Sequence, residues 1–493
     1  MRYQSTRDHS ISITGSEAIV QGLSRDGGLF VPETLPKLSE KELERLVGMT
    51  YRERAAFILG LFLDDFTVSE LASFTEKAYG DLFSDSDIAP LRQYRDGAFF
   101  LELWHGPTCA FKDMALQIMP YLLTASLEKT GEDREACILV ATSGDTGKAA
   151  LEGFRDVLGT KIMVFYPKDG VSDIQRLQMT TQEGGNVAVC SVEGNFDDAQ
   201  TGVKTIFSDE KLRETLSDRG YFLSSANSIN WGRLMPQIVY YVSAYCDLLA
   251  KQSIKPGDKV NFCVPTGNFG NILAGFYAKR MGLPVGKLIC ASNSNDVLTD
   301  FIKTGIYNKN RDFFTTLSPS MDILVSSNLE RLIFEYSGKD AVLTAGYMDA
   351  LSKTGQYEIS PAIKAEIARD FVCGACSDEE TKSAIKEVFE KYGYLMDTHT
   401  AVAYHVLKNL DETEDDAVSV IISTASPYKF AGSVLEALGE SADMDGFSMI
   451  ERLSEVTGTK APESLASLRG KAPRFDACVG QDEMKAVVER FLK

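Results

Sequence analysis

The fold is decided by the stretch Val260-Asn-Phe-Cys-Val-Pro-Thr-Gly-Asn-Phe-Gly-Asn271. It begins with a short apolar run and continues into a turn with glycines at positions 267 and 270, and a helical pattern follows over residues 272–280. This order predicts a buried strand, a turn that approaches a ligand closely, and a helix whose dipole and free N–H groups face that turn. We therefore expect a phosphate-binding turn, although a plain strand-to-helix connection would have the same pattern.

Five more short apolar runs are separated by helical patterns in the same way. Because such runs are apolar on both faces, they are typical of a parallel sheet that helices cover on both sides, and we predict an α/β fold. Open parallel sheets bind ligands at the carboxyl ends of their strands, so the loops after these runs are the candidate site. The runs are residues 137–142, 161–166, 187–192, 288–291 and 418–423.

The first 85 residues have a different pattern. Apolar positions recur at helical spacing from Ser39 to Leu63 and from Ser69 to Tyr79, and no alternation of strand and helix is seen. We predict a small, mainly helical N-terminal domain over residues 1–85. The whole chain has 493 residues, which is too long for one core of about 100 to 200 residues, so two or three lobes are expected.

Charge and composition exclude several classes of function. Seventy acidic and fifty-one basic side chains give a net charge of -19, which disfavours nucleic acid and anionic membranes as partners. The start of the chain has no apolar segment behind its basic residues, so we expect neither a signal peptide nor a spanning helix, and a cytoplasmic location. An anionic ligand would need a local cluster of donors.

The nine cysteines are scattered and odd in number, so no disulfide framework is indicated. Cys373-Gly-Ala-Cys376 has the spacing of redox and zinc sites, but neither a second pair nor a histidine lies nearby in the sequence. We interpret the pair as ordinary thiols in a connecting segment and predict no metal.

The loop Ser143-Gly-Asp-Thr-Gly-Lys148 superficially resembles a nucleotide-binding loop. Only two residues separate its glycines, and Ala149 stands where a magnesium-binding hydroxyl is required, so binding of ATP is excluded. The loop still follows a strand and precedes a helix. Its amides and hydroxyls could therefore hold another anion, such as a carboxylate.

A single lysine, Lys112, lies among apolar and small residues in Trp104-His-Gly-Pro-Thr-Cys-Ala-Phe-Lys-Asp-Met114. Desolvation favours the amine form of lysine, which Schiff-base chemistry requires. A solvated ion pair between Lys112 and Asp113 is the alternative interpretation.

The segment His105-Gly-Pro-Thr-Cys-Ala-Phe-Lys-Asp113 resembles the pyridoxal-lysine motif of threonine synthases. Six more segments resemble the same family in the same order, and they extend over nearly the whole chain. Together they are similar to its longer branch, which has an extra N-terminal domain. The segments are Tyr3–Arg7, Gly22–Pro32, Thr142–Gly147, Tyr166–Ser172, Asn227–Arg233 and Gly267–Asn271.

This resemblance implies a fold-type II pyridoxal phosphate enzyme with two open, mostly parallel sheets flanked by helices. Residues 86–493 would form the catalytic region, with two interleaved α/β lobes and C-terminal helices. The implied reaction converts O-phospho-L-homoserine and water into L-threonine and phosphate by γ-elimination and β-addition of water. A monomer or a small homo-oligomer is typical of this branch.

The resemblance also implies roles for individual residues. Lys112 would hold pyridoxal 5'-phosphate as a Schiff base and later move protons as general acid and base. Thr424 would bind the pyridine nitrogen, with a cap of the preceding strand as its alternative role. The cofactor phosphate would bind Gly267, Asn268, Phe269, Gly270 and Asn271. The substrate carboxylate and the cofactor ring oxygen would lie beside Ser143, Gly144, Asp145 and Thr146.

The phosphate that leaves the substrate needs cationic and amide donors, because charge builds on its bridging oxygen. Arg233 is the main candidate, since its planar fork can grip phosphate oxygens, and a helix-surface arginine is the alternative. The other candidates are Lys168, Asn227, Ser228 and Asn230.

Two departures from the family pattern affect residues near the predicted site. Ser426 stands where the family often has histidine, and Thr398 stands where it often has proline, one residue before His399. We expect His399 to be a hydrogen-bonded support. A related pyridoxal phosphate lyase acting on another phosphorylated or hydroxylated amino acid remains the alternative function, whereas a catalytically silent relative would be expected to lack Lys112.

Overall fold

The computed structural model describes residues 1–169, 171–410 and 417–493. Within these ranges the chain forms sixteen strands. They are β1 (Tyr3–Ser5), β2 (Ser12–Ile13), β3 (Phe30–Pro32), β4 (Leu91–Arg95), β5 (Ala98–Glu102), β6 (Glu135–Ala141), β7 (Thr160–Pro167), β8 (Val187–Val192), β9 (Tyr221–Ser224), β10 (Val260–Pro265), β11 (Val285–Ser292), β12 (Ile306–Asn308), β13 (Gln356–Glu358), β14 (Phe371–Ala375), β15 (Val418–Ser423) and β16 (Cys478–Val479).

The same ranges contain twenty-three α-helices and three short 3-10 helices at Pro319–Met321, Pro427–Phe430 and Gln481–Glu483. The α-helices are α1 (Gly15–Gln21), α2 (Glu40–Val47), α3 (Tyr51–Phe62), α4 (Val68–Ala78), α5 (Asp113–Leu116), α6 (Met119–Thr130), α7 (Asp145–Gly153), α8 (Asp173–Thr180), α9 (Phe196–Ser208), α10 (Glu210–Asp218), α11 (Trp231–Leu234), α12 (Pro236–Ala250), α13 (Gly270–Met281), α14 (Val297–Thr304), α15 (Leu329–Tyr336), α16 (Ala341–Thr354), α17 (Pro361–Asp370), α18 (Asp378–Tyr392), α19 (Thr398–Lys408), α20 (Ala431–Ala437), α21 (Gly446–Thr457), α22 (Glu463–Ala466) and α23 (Met484–Phe491).

The N-terminal part combines helices α1–α4 with a small antiparallel sheet in the order β2-β1-β3. Each of the four helices begins with a capping box, in which a threonine or serine is followed three residues later by glutamate. Helices α2, α3 and α4 were expected from the sequence, but α1 and the sheet were not. Strands of two or three residues are too short to produce an alternating pattern.

The central sheet has six strands in the order β14-β11-β10-β15-β5-β4. Neighbouring strands are parallel, except for the antiparallel edge pair of β4 and β5. Strand β10 is buried along its whole length, as its apolar sequence predicts. Strand β15 inserts between β10 and β5, although it lies far from both in the sequence.

A second sheet has the order β16-β8-β7-β6-β9, and all of its pairs are parallel. The apolar residues of β6 and β7 are buried beneath the helices that cover the sheet. The predicted α/β fold, with two mostly parallel sheets and an additional N-terminal part, is confirmed.

The carboxyl ends of strands from both sheets face one cleft. Loops that follow β6, β9, β10 and β15 line a single cavity of about 1780 Å³. This is the position at which open α/β sheets bind ligands. Among the described helices, none has both the length and the apolar character needed to cross a lipid bilayer.

Candidate active site

Lys112 lies on the cavity wall, at the junction between the loop after β5 and helix α5. Its Nζ atom is 3.7 Å from Asp145 Oδ2 and 4.6 Å from the centre of the Phe111 ring. Desolvation is the main reason why the pKa of Lys112 falls to about 8; Asp145 opposes this fall, and the charges of Arg233 and Lys429 add to it. About one tenth of the lysine is therefore the free amine at pH 7, which is far more than for a lysine with an ordinary pKa.

Asp113 is not a solvated partner of this lysine. The side chain of Asp113 is completely buried, and its carboxylate accepts hydrogen bonds from Thr108 N and Thr108 Oγ1, both at 2.8 Å, and from Gln117 Nε2 at 3.1 Å. These hydrogen bonds of Asp113 hold the loop that precedes Lys112 in place. The carboxylate closest to Lys112 Nζ is therefore that of Asp145 and not that of Asp113.

The turn at residues 267–271 connects β10 to α13 and lines the cavity. A Cβ atom added to Gly267 would lie 2.9 Å from Ser320 O, which is closer than side chains approach, so the turn requires glycine here. Phe269 has a left-handed φ of 61° at the start of α13. The first turn of this helix has N–H groups without intrahelical acceptors, which suits an anion.

Four buried polar atoms of residues that line the cavity have no hydrogen-bond partner within the described part of the chain. They are Ser24 Oγ, Asn227 Oδ1, Arg233 Nε and Asn271 Nδ2. The oxygen of Asn271 is already engaged, because it accepts from Tyr240 Oη at 2.6 Å and from Tyr241 Oη at 2.8 Å. Native proteins rarely leave such atoms unpaired, so phosphate oxygens of a ligand fit the two N–H donors, Asn271 Nδ2 and Arg233 Nε, whereas Asn227 Oδ1 would need a donor from the ligand.

The loop at residues 142–147 is held in shape by Thr142. Its Oγ1 atom accepts hydrogen bonds from Gly144 N and Gly147 N, both at 2.9 Å. Gly144 has a φ of 134°, and an added Cβ atom would lie 2.6 Å from the side chain of Gln175. Ser143 and Thr146 are half-buried and line the cavity, so their hydroxyls are available to a ligand.

Asp145 is the meeting point of two buried lysines. Its Oδ1 atom is 2.6 Å from Lys429 Nζ and 2.9 Å from Gln175 Nε2, while Lys112 approaches Oδ2. Burial by itself raises the pKa of Asp145, but attraction to Lys429 and Lys112 outweighs burial and holds the pKa well below its usual range. Asp145 is therefore an anion that anchors Lys112.

Lys429 is a residue of this site that the sequence reasoning missed. Its side chain is completely buried, and its Nζ atom donates to Thr108 O at 3.0 Å as well as to Asp145. A local pattern could have identified it. Like Lys112, Lys429 is a single lysine among apolar and small residues, shortly after a buried strand.

Arg233 is almost completely buried, near the end of helix α11. Its Nη1 atom donates to Ala226 O at 2.7 Å, and no carboxylate of the described residues forms an ion pair with it. Burial lowers the pKa of Arg233 to about 10, so the group stays charged at neutral pH. The predicted alternative of a helix-surface arginine does not hold. A buried cation without an anion is costly, and this favours an anionic ligand.

The segment at residues 227–230 is held in place by Asn328 and Arg331, which sequence reasoning also missed. Asn328 Nδ2 donates to Ser228 Oγ at 2.9 Å and to Asn268 O at 3.1 Å, which joins this segment to the 267–271 turn. Arg331 is fully buried and donates to Ser228 O at 3.2 Å and to Ile229 O at 2.6 Å. Because these two residues are distant in sequence from the segment, only the fold reveals their contacts.

Two predicted phosphate ligands do not reach the cavity. Asn230 is fully buried, and its amide is engaged with Ile19 O at 3.0 Å and with Gly232 N at 2.9 Å, where it caps α11. Lys168 is exposed after β7 and does not line the cavity. In this structure these two residues lie outside the cavity lining, whereas Asn227, Ser228 and Arg233 line it together.

Thr424 follows β15 and is buried at the cavity wall. Its carbonyl oxygen accepts a hydrogen bond from Phe111 N at 2.8 Å. This contact holds Phe111, the residue before Lys112, against the end of β15. Thr424 and Lys112 therefore belong to one wall of the cavity.

His399 supports the cavity through a short chain of hydrogen bonds. Its Nδ1 atom lies 2.9 Å from Asp397 Oδ1, and its Nε2 atom accepts from Ser320 N at 3.2 Å. Ser320 Oγ lies 3.5 Å from Lys112 Nζ. Ser426 is buried, and its Oγ atom accepts from Tyr428 N at 3.4 Å, so it caps the short helix that carries Lys429.

Three family models together match most of the chain, and the second and third overlap. The model described as "Threonine synthase N terminus" matches residues 2–79, "Pyridoxal-phosphate dependent enzyme" matches residues 89–425, and "Threonine synthase, C-terminal" matches residues 400–488. The second model alone covers more than half of the chain.

Curated relatives agree with these models. "Threonine synthase-like 1" of Homo sapiens is 45% identical over 434 residues, which are 86% of this chain and 58% of that protein, so the chain spans little more than half of this relative. "Threonine synthase" of Pseudomonas aeruginosa is 41% identical over 477 residues, which are 95% of this chain and 97% of that protein.

Solved structures show the same fold. The threonine synthase of Brucella melitensis, with pyridoxal phosphate bound, superposes with a TM-score of 0.89 at 38% identity and covers 100% of this chain and 99% of its own. The yeast threonine synthase superposes with a TM-score of 0.88 at 33% identity and covers 100% of this chain and 98% of its own. Motifs, fold and relatives agree, and the chain belongs to the threonine synthase family of pyridoxal-phosphate dependent enzymes.

Proposed function

We propose that this chain converts O-phospho-L-homoserine and water into L-threonine and phosphate. The observation that carries the proposal is Arg233, a buried guanidinium without a carboxylate partner in the described chain. It lies on the wall of the cavity that also contains Lys112. A reaction that expels phosphate beside a reactive lysine accounts for both groups.

Pyridoxal phosphate fits the side of the cavity formed by Lys112, Thr424 and the 267–271 turn. The unpaired Asn271 Nδ2 and the free N–H groups of α13 suit its phosphate, and the space at Gly267 permits close approach. Lys112 would hold the aldehyde carbon, Thr424 would bind the ring nitrogen, and Asp145 would lie on the cofactor side. When bound, the cofactor supplies an electron sink for negative charge on the substrate carbons.

The amino-acid end of the substrate would bind at the 143–146 loop. Ser143 and Thr146 offer hydroxyls at the cavity, and the N-terminus of α7 offers N–H groups. These donors suit a carboxylate. Lys148 in the same loop instead pairs with Glu152 at 2.9 Å, so it plays no part in this contact.

The phosphate end would bind Arg233, Asn227 and Ser228. Arg233 Nε is unpaired, so the guanidinium can offer a further donor when phosphate arrives. The charge that develops on the bridging oxygen would be stabilised in a site from which water is largely excluded. Ser228 is fixed by Asn328, so this donor is already oriented before the substrate binds.

Lys112 Nζ would also move protons between the substrate carbons. The lowered pKa allows the same atom to accept and to return a proton near neutral pH. Asp145, held by Lys429, keeps Nζ on the cavity side. Within this proposal the chain acts in the cytoplasm on a small molecule, with residues 1–85 as the N-terminal domain and residues 86–493 as the catalytic region. It would act as a monomer or a small homo-oligomer.

The direct test is chromatography of the products that the purified protein forms from O-phospho-L-homoserine and added pyridoxal phosphate. We expect threonine and inorganic phosphate in equal amounts, and no threonine from unphosphorylated homoserine. If the cofactor binds but no threonine forms, the assigned substrate is wrong. A related lyase for another phosphorylated or hydroxylated amino acid would then be the better assignment, and a panel of such substrates would identify it.

A further inference from the structure

A second group of chemically reactive side chains lies outside the cleft, at the junction of three elements. Cys376 follows β14, Glu380 lies in the first turn of α18, and His405 lies in the last turn of α19. The sulfur of Cys376, a carboxylate oxygen of Glu380 and a ring nitrogen of His405 all lie within 4.8 Å of one another. Neither the cleft nor its proposed reaction uses these residues.

The carboxylate and the imidazole of this group have the spacing of two ligands of one small cation. His405 Nε2 and Glu380 Oε1 are 3.5 Å apart, and two ligands of one tetrahedral zinc ion are expected to lie about 3.3–3.6 Å apart, given metal–ligand distances of about 2.0–2.3 Å. Cys376 is buried, His405 is half-buried and Glu380 is exposed, so one side of the group remains open to water. A fourth position can therefore be filled by solvent.

Neighbouring groups hold two of the three ligands in place before any ion binds. The second carboxylate oxygen of Glu380 accepts from Ser377 N and from Ser377 Oγ, both at 2.8 Å, which leaves Oε1 directed toward His405. Asn409 Nδ2 lies 3.2 Å from His405 Nε2. An N–H of Asn409 that points at Nε2 occupies the lone pair of that nitrogen, so an ion that binds there would take the place of this contact.

We propose that Cys376, Glu380 and His405 form a binding site for a divalent transition-metal ion of the zinc type. Thiolate and imidazole ligands favour zinc over magnesium and calcium, which prefer oxygen ligands. On binding, the thiol of Cys376 releases its proton to solvent and the sulfur donates its electron pair to the ion. No oxidant or other reactant is needed. The C-x-x-C spacing of Cys373 and Cys376 was interpreted above as ordinary thiols without a metal, because His405 reaches Cys376 only through the packing of α19 on α18.

An ion bound at this site would link the end of β14 to helices α18 and α19. Helix α19 also carries His399, which supports Ser320 at the active-site wall. An ion bound at one end of this helix would therefore stabilise an element that contributes to the cleft at its other end. The inference does not depend on the identity of the substrate.

Titration of the metal-free holoenzyme with cobalt(II) tests the proposal, because a cobalt–thiolate bond gives an absorption band in the near ultraviolet. We expect this band to saturate at one equivalent, to disappear when zinc is added, and to be absent in Cys376→Ser. His405→Gln should weaken the binding of cobalt at least tenfold. The matched controls are Cys478→Ser, an exposed cysteine, and Cys373→Ser, the other member of the C-x-x-C pair; both should bind cobalt like the parent.

Three results would overturn the proposal: no saturable band in the parent, an unchanged band in Cys376→Ser, or loss of the band in Cys373→Ser with retention in His405→Gln. Circular dichroism and the absorbance of bound pyridoxal phosphate show whether each variant is folded. Zinc should also raise the thermal midpoint of the parent and not that of His405→Gln, whose half-buried side chain can be replaced without disturbing the core.

Discussion

At the scale of single residues, the site depends on charges that are placed out of reach of water. Lys112, Asp145 and Lys429 form a row in which one anion lies between two cations. Asp145 offsets the repulsion between the two lysines, and desolvation nevertheless keeps the pKa of Lys112 low. The proposed chemistry thus follows from burial and from the order of the charges.

The lowered pKa of Lys112 predicts how the cofactor attaches. The amine form attacks the aldehyde, and its fraction rises with pH through the pKa of about 8. The attachment rate, followed by absorbance after apo-protein is mixed with pyridoxal phosphate, should therefore rise with pH and level off above about 8. An unperturbed lysine would level off only above about 10.

Two variants serve as controls for this measurement. Lys112→Ala should give no borohydride-reducible adduct at any pH. Lys148→Ala, which removes a lysine paired with Glu152, should behave like the parent. A midpoint near pH 10, or a labelled peptide that lacks residue 112, would contradict the assignment of Lys112.

The position of Arg233 predicts that its removal lowers turnover of the substrate without weakening the binding of the cofactor. Arg233→Ala should lower kcat/KM for O-phospho-L-homoserine by about 10²–10³-fold, because a donor to the leaving phosphate is removed. The affinity for pyridoxal phosphate should stay within a factor of two or so, since the cofactor is assigned to other donors. Initial rates of phosphate release and a cofactor titration measure the two effects. Arg176→Ala, which removes an arginine that is 53% exposed on α8, is the matched control. Equal losses in cofactor affinity and turnover would argue against this role.

Sequence reasoning found part of the site and missed the rest for identifiable reasons. Lys112 and the 267–271 turn are local motifs, so their chemistry is visible in a few consecutive residues. Lys429, Asn328 and Arg331 act through contacts with distant segments, and no local pattern reveals such contacts. The amide of Asn230 caps α11, a contact that depends on the direction of the side chain and that no local pattern reveals.

At the scale of elements, burial explains most of the strands that could be predicted. Strands β6, β7, β8, β10, β11 and β15 have continuous apolar runs because both faces are covered. Strands β9 and β14 were missed, and both lie at sheet edges and are only partly buried, so their sequences contain no such run. Strand β5 was missed as well, although all of its residues are buried, so burial alone does not make a strand predictable.

The close packing of the turn before α13 predicts that one added methyl group lowers stability and weakens cofactor binding. Gly267→Ala would bring a Cβ atom to 2.9 Å from Ser320 O. We expect a loss of about 1–3 kcal/mol in the free energy of unfolding, which is usual for overpacking, together with weaker binding of pyridoxal phosphate. Urea unfolding of the apo-protein and a cofactor titration measure these changes.

The control for this substitution is Gly346→Ala, in the middle of α16. A Cβ atom at Gly346 would meet nothing within 4 Å. In an open helical position, alanine should raise the free energy of unfolding by up to about 1 kcal/mol. If Gly267→Ala is as stable as the parent and binds the cofactor equally well, the close approach at this turn has no importance.

At the scale of the whole molecule, Arg331 joins the N-terminal part to the catalytic region. Its guanidinium donates to Phe30 O in β3 at 3.0 Å and to the carbonyls of Ser228 and Ile229 beside the proposed phosphate site. Arg7 of the N-terminal segment adds an ion pair with the buried Glu330 at 2.6 Å. The small N-terminal sheet therefore supports the cleft directly.

This connection predicts a stability effect of Arg331→Met. The substitution leaves several buried carbonyl oxygens without a donor, and each costs about 1–3 kcal/mol when water cannot replace it. We expect a large decrease in the free energy of unfolding, measured with urea, and a higher KM for O-phospho-L-homoserine. Arg369→Met, on the exposed surface of α17, should change stability by no more than about 0.5 kcal/mol. A stable Arg331→Met variant with a normal KM would disprove the connection.

The insertion of β15 between β5 and β10 has a consequence for how this protein is made. Lys112 and Thr424 form one wall, yet a ribosome adding about 5–20 residues per second needs about 15–60 s to pass from one to the other. During that interval β5 and β10 emerge without the strand that will pair with both of them. The unpaired backbone N–H and C=O groups along their edges can then bind strands of other chains. Chaperones are thus expected to bind the nascent chain until residue 423 has emerged, and a chain that terminates earlier can have no complete cofactor pocket.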